Sequence, residues 1–181
     1  MITNHVYTRD ARAGTLPGMS LHAGTTVRIR EMTGYDVEPL ASALGWTTYG
    51  IGRRWSECLA GYREMYVADV DGQPAGSVSV NEREEFPGFL HLFALDVSSE
   101  LQSRGIGTRL IGRVEEESRT RGRAGVYLEV STNNTRARAL YERLGYAQDG
   151  TPFLNSWNRY DSDGNHIEEV VETVVRLVKR F

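Results

Sequence analysis

The sequence predicts a mixed α/β domain, and three local patterns carry that reading. Two short strand-like runs, residues 65–70 and 75–80, are joined by Asp71-Gly72-Gln73-Pro74, and Asp-Gly is a strong hairpin signal because both residues tolerate positive φ. After Gly105 the apolar spacing changes from alternation to a helical stripe, with Ile106, Leu110, Ile111 and Val114 on one face. The chain then closes on residues 171–181, where Val171, Thr173, Val175 and Leu177 alternate with Glu172, Arg176 and Arg180 as in a final strand.

The remaining elements follow in order. Val27 and Ile29 alternate with Arg28 and Arg30, which predicts a first strand over 26–31. Helical patterning covers 36–44 and 55–65, with Gly45, Gly50 and Gly52 read as breaks between them. Residues 81–88 form a charged turn, 89–97 (FLHLFALDV) a buried strand and 125–130 (GVYLEV) another. Glu115, Glu116 and Glu117 are expected at a solvated helix end. Asn134 caps a helix whose stripe is Ala137, Leu140, Tyr141 and Leu144, stopped by Gly145. Residues 1–25 are short on large apolar side chains and read as a flexible extension, leaving 26–181 as a single domain.

Composition sets the outer limits. A chain of 181 residues, 40% hydrophobic, suits one domain with a core that needs no staples. Lys+Arg 21 against Asp+Glu 24, net -3, speaks against a nucleic-acid footprint over the whole surface. A lone cysteine, Cys58, excludes an intramolecular disulfide and a multi-cysteine zinc site, and no metal is expected. No apolar run is long enough to span a membrane, and the first residues carry no basic and apolar leader pattern. A soluble, cytoplasmic protein is the default expectation.

The chemistry lies in Gln102-Ser103-Arg104-Gly105-Ile106-Gly107-Thr108, between a strand and a helix. Two glycines one residue apart let the backbone approach a ligand closely. Their N–H groups sit at a helix N-terminus, where unpaired donors and the helix dipole attract an anion. Arg104 and Arg109 add positive charge, while a plain structural turn would explain the glycines alone. A Walker A loop is excluded because Gly107 is followed by Thr108-Arg109 rather than Lys-Ser/Thr. A dinucleotide loop would need a third glycine where Leu110 stands and would follow its strand directly, although Glu129 occupies the place of a ribose-binding acid. An NAD-binding protein therefore remains a lesser alternative.

The run Leu95-Asp96-Val97, Gln102, Gly105, Gly107, followed by Asn134, Ala137, Tyr141, Gly145 and Tyr146, resembles the GNAT superfamily of acyl-CoA-dependent N-acyltransferases. The first half is similar to that family's pyrophosphate motif, the second to its cofactor-arm helix, and residues 89–146 carry the likeness. The resemblance implies a mostly antiparallel sheet with helices on both faces. It also implies a V-shaped splay between 89–97 and 125–130, into which the pantetheine arm of acetyl-CoA slots. By that resemblance the Leu95 N–H polarises the thioester carbonyl and Val97, beyond Asp96, bonds the pantetheine amides. The N–H groups of Ser103, Arg104, Gly105, Ile106, Gly107 and Thr108, after Gln102, wrap the pyrophosphate. Asn134 caps the arm helix, and the Tyr141 hydroxyl protonates the departing thiolate.

Attack requires a neutral amine, so a base must take a proton from an ammonium of pKa near 10. His91 lies six residues before Val97, and strand parity would point it the same way as Phe93, Leu95 and Val97. A buried histidine bonded to backbone is the bland reading of the same position. Glu84 and Glu85, with Glu82, form a carboxylate cluster in the preceding turn, and Glu129 is a third candidate. Cys58 reads as buried filler, so no covalent intermediate is expected. The resemblance thus implies acetyl transfer from acetyl-CoA to a primary amine in a ternary complex, with a small-molecule acceptor expected over a protein. A non-catalytic acyl-CoA sensor is the alternative, and a wider pocket near Phe93 and Leu95 would admit longer acyl chains. Trp46, Tyr49, Trp55, Phe153, Trp157 and Tyr160 are the aromatics available to an acceptor pocket. Family members are often dimers, and 171–181 would offer an edge strand for pairing.

Overall fold

The computed structural model describes residues 5–7 (backbone), 24–161 and 163–181. Among the described residues nine strands form one sheet: β1 His5–Tyr7, β2 Val27–Glu31, β3 Glu64–Val70, β4 Gln73–Glu82, β5 Phe89–Val97, β6 Gly125–Ser131, β7 Ala147–Gln148, β8 Phe153–Tyr160 and β9 His166–Arg180. Four helices cover it: α1 Val37–Leu44, α2 Thr48–Leu59, α3 Ile106–Thr120 and α4 Thr135–Arg143. The order is β1-β8-β9-β6-β5-β4-β3-β2, with β7 against β9. Only β1·β8 and β5·β6 are parallel among these pairs. No described helix is long and apolar enough to cross a membrane.

Alternation along β3 divides the core between two faces. Met65 and Val67 join Leu40, Leu44 and Ile51 under α1 and α2. Tyr66, Ala68 and Val70 join Ile106, Leu110, Ile111 and Val114 of α3 on the other face. Each such fully buried aliphatic side chain contributes about 1.5–3 kcal/mol of transfer free energy. The β3–β4 hairpin turns on Asp71 at φ 51 and Gly72 at φ 85, the positive pair that the Asp-Gly signal predicts.

Three sequence expectations need correction. The second helix begins at Thr48 and runs through Gly50 and Gly52, because the Thr47 side chain accepts the Gly50 N–H at 3.0 Å and Ile51 is fully buried. These gains offset a glycine cost of about 1 kcal/mol each, and Met65 belongs to β3. Glu115 is buried rather than solvated, its Oε2 accepting from Lys179 Nζ at 2.7 Å. The final strand starts at His166 and is not an edge: β6 pairs with it over 174–180 and β8 over 166–174. Of residues 1–25, His5–Tyr7 pairs with β8, and 1–4 and 8–23, where the flexible extension is expected, lie outside the described residues.

Candidate active site

The parallel strands β5 and β6 pair only through Phe89–Gly125, Leu90–Val126 and His91–Tyr127. Beyond His91 they part, and a cleft of about 1020 Å³ opens between Leu95 and Val97 on one wall and Val130 and Ser131 on the other. On the β4 side, Ser79 faces Phe93 but Ser77 faces Asp96, so three steps along β5 match two along β4. This is a β-bulge, with Ala94 at φ 49. It sets Ala94 and Leu95 against the single residue Val78 and interrupts the ladder beside the cleft. It also corrects the parity argument: His91, Phe93 and Asp96 share one face, while Leu95 and Val97 turn to the other and pack on the core of Leu90 and Leu92.

The glycine loop stands at the mouth of this cleft. Ser103 at φ 62 and Gly105 at φ 82 are both left-handed, and Gly105 caps α3. A side chain at Gly105 would meet no neighbour, so backbone conformation, not space, calls for glycine there. The first helical bond runs from the Arg109 N–H to the Gly105 carbonyl, 3.1 Å, leaving the Ile106, Gly107 and Thr108 N–H groups without a helical acceptor. The buried Ile106 side chain pins this turn. Gln102 donates to the Val97 carbonyl at 3.1 Å, tying loop to strand. Arg109 turns away and donates to the Val27 carbonyl. The cations lining the cleft near the loop are Arg136 and Arg143 of α4, and Arg136 donates to Gln102 Oε1 at 3.2 Å and Ser103 Oγ at 2.9 Å. Sequence reasoning overlooked both, although Arg136 lies two residues past Asn134.

Asn134 caps α4, its side chain accepting the Ala137 N–H at 3.1 Å, and lines the cleft with Tyr141. Tyr141 is 7% exposed and meets Tyr146 edge-on, with centroids 5.8 Å apart. Burial, and secondarily the Asp96 charge, push its phenol up to about 12, so it is protonated throughout the neutral range.

Proton-accepting groups distribute unevenly. His91 lies in the cleft wall between Phe93 and Tyr127, with ring centroids at 4.9 and 4.7 Å, and is 1% exposed. Burial, followed by the charges of Arg83, Arg176 and Arg63, holds its basicity well below 6.5, so the ring is neutral at neutral pH. Its Nδ1 lies 3.2 Å from Asn81 Oδ1 and its Nε2 3.8 Å from Glu129 Oε2. Glu129 lines the cleft, with Arg176 at 3.6 Å and Arg83 at 3.9 Å. Glu84 and Glu85 are exposed on the β4–β5 turn, outside the cleft lining, and Glu82 is ion-paired with Arg123. Asp96 faces the buried Arg54 at 3.4 Å, and that guanidinium stacks on Trp46 at 4.9 Å. Of the six candidate aromatics, Trp46 and Trp157 line the cleft; Trp55 packs under α1 and α2.

The profile of the Acetyltransferase (GNAT) family matches residues 34–146, more than half of the chain. The chain belongs to the GNAT family. An uncharacterised N-acetyltransferase of Methanocaldococcus jannaschii is 30% identical over 124 residues, 65% of this chain and 45% of that protein. The chain spans less than half the length of the curated relatives it matches. The ribosomal-protein-S18-alanine N-acetyltransferase of Escherichia coli shares the fold, with TM-score 0.62 and 19% identity over 86% of this chain and 94% of that one. So does a "putative streptothricin acetyltransferase" from Bacillus anthracis solved with acetyl coenzyme A, with TM-score 0.51 and 17% identity over 66% of this chain and 62% of that one. The GNAT sheet, with its antiparallel majority, is not the doubly wound parallel sheet of a dinucleotide fold.

Proposed function

We propose that this protein transfers the acetyl group of acetyl-CoA to a primary amine by direct attack. The observation that carries the reading is the parting of β5 and β6 beyond the His91–Tyr127 pair, directly beside the donor-rich turn at 103–108. An extended pantetheine arm fits that gap as a strand would, bonding to the main chain of Leu95 and Val97. The N–H groups of Ser103 to Thr108 and the cations Arg136 and Arg143 suit the pyrophosphate and the further phosphate of CoA.

The amine approaches from the face shared by His91, Phe93, Asp96 and Glu129. Glu129 takes the ammonium proton, directly or through water, and the guanidiniums of Arg176 and Arg83 hold that carboxylate in place. The amine nitrogen then bonds to the thioester carbon while the Leu95 N–H stabilises charge on the carbonyl oxygen. The carbon–sulfur bond breaks, and the Tyr141 hydroxyl gives its proton to the departing thiolate, leaving an amide and free CoA. A thiol-release assay across a panel of primary amines tests this reading. Turnover that depends on Tyr141 supports it; tight acetyl-CoA binding with no turnover of any amine favours the sensor alternative.

A further inference from the structure

The cleft continues past the splay onto the β8–β9 hairpin, beyond the residues matched by the family profile. Three carboxylates line it: Asp96, Glu129 and Glu172. Asp96 faces Arg54 and Glu129 faces Arg176 and Arg83, but Glu172 has no ion pair or side-chain hydrogen bond among the described residues. Glu172 is half-buried and stands opposite Asn155 in the β8–β9 register, on the face that Trp157 shares. The cations of the same wall are already matched, Arg54 by Asp96, Arg63 by Glu57 and Arg176 by Glu129.

A half-buried carboxylate without a counter-ion, next to an indole, is suited to a cation that arrives with the ligand. Its position defines where that cation sits. Glu129 pairs in register with Arg176, four residues along β9 from Glu172, which separates the two carboxylates by about 13 Å of strand. We propose that Glu172 selects acceptors carrying a second cationic group. The far ammonium rests against Glu172 and Trp157 while the reacting nitrogen lies near Glu129 and Tyr141. This inference rests on the amine-acceptor reading above and names the acceptor as a linear diamine or longer polyamine.

The test is calorimetric binding to the CoA-loaded protein of three probes of equal chain length: octamethylenediamine, octylamine and aminooctanoate. The diamine should bind about tenfold or more tightly than octylamine, and aminooctanoate most weakly. Glu172→Gln should abolish the diamine preference, and Glu172→Lys should turn it toward aminooctanoate. Equal affinity for diamine and octylamine in the unmodified protein, or a preference that survives Glu172→Gln, overturns the inference, and the first comparison needs no variant. Turnover separates the two proposals. Octylamine acetylated without any diamine preference sinks the inference alone; a diamine preference in binding with no amine acetylated sinks the transferase reading and leaves Glu172 as a cation site.

Discussion

His91 and Leu95 lie four residues apart on one strand yet present their side chains to opposite faces of the sheet. The Ala94 bulge between them adds one residue to β5 relative to β4 and resets the alternation. One strand thereby serves two surfaces. His91, Phe93 and Asp96 line the cleft from one face of the sheet, while Leu95 and Val97 pack on the α3 core at the other and line the cleft as well.

The bulge should be sensitive to the side chain at its left-handed position. Ala94→Val places a β-branched residue at φ 49, which costs about 1–2 kcal/mol or more and should lower Tm by several degrees. Acetyl-CoA affinity should fall with it, as read by calorimetry below the melting range. A variant with unchanged Tm and affinity would mean that the bulge is dispensable.

Tyr141 and Glu129 should affect turnover rather than binding of the acetyl donor. Tyr141→Phe should reduce kcat about tenfold or more with acetyl-CoA Kd nearly unchanged, if the phenol, protonated with pKa about 12, is the proposed proton donor. Glu129→Gln should slow the reaction most at neutral pH, where the amine is still protonated, and least as pH approaches 10, where the free amine no longer needs a base. The basic limb of the pH profile should not follow Tyr141, whose hydroxyl stays protonated until pH approaches 12.

His91 should appear in the pH dependence of stability. Its folded pKa is depressed and its unfolded pKa is the ordinary 6.5, so above that pH both states are neutral and its contribution is complete. As pH falls below 6.5 the unfolded chain binds a proton that the folded chain refuses. Stability then drops by up to about 1.4 kcal/mol per pH unit from this group. Denaturant melts at pH 7, 6 and 5 should show this loss, and His91→Gln should flatten it; an identical slope in the variant would remove His91 as the cause.

Cys58 should be a bystander. Burial, opposed by Arg63, pushes its thiol up to about 11, so little thiolate exists at neutral pH. Iodoacetamide should react slowly at pH 7.5, and Cys58→Ala should retain full turnover. An inactive alanine variant that keeps its Tm and its acetyl-CoA binding would argue for a covalent route instead of direct attack.

The parts legible in the sequence were those specified by neighbouring residues. The Asp71-Gly72 turn, the 102–108 loop and the Asn134 cap each depend on side chains or φ preferences within a few positions. The Ala94 bulge left no such mark, since neither glycine nor proline signals it and it is imposed by pairing with Ser77 and Ser79. Glu84 and Glu85 looked stronger than Glu129 because they cluster, but clustering reflects an exposed turn. Glu129 is drawn into the cleft by a ladder with Arg176, far along the chain. The start of β9 was hidden for a related reason: His166, Glu168 and Glu169 are polar, and only pairing with β8 makes them a strand. Glycines at 50 and 52 suggested a break where the Thr47 cap and the burial of Ile51 sustain a helix.

The central claim, that the splayed cleft and its glycine loop hold acetyl-CoA, is tested most directly by thermal melting with acetyl-CoA and with NAD, for the unmodified protein and Gly105→Glu. At ligand about 100-fold above Kd, linkage stabilises the folded state by about 2.7 kcal/mol, a Tm increase of roughly 5–10 °C at this chain length. The account predicts that increase with acetyl-CoA, none with NAD, and none with either ligand in Gly105→Glu, where a carboxylate occupies the anion position. The opposite pattern, a shift with NAD and none with acetyl-CoA, would contradict it.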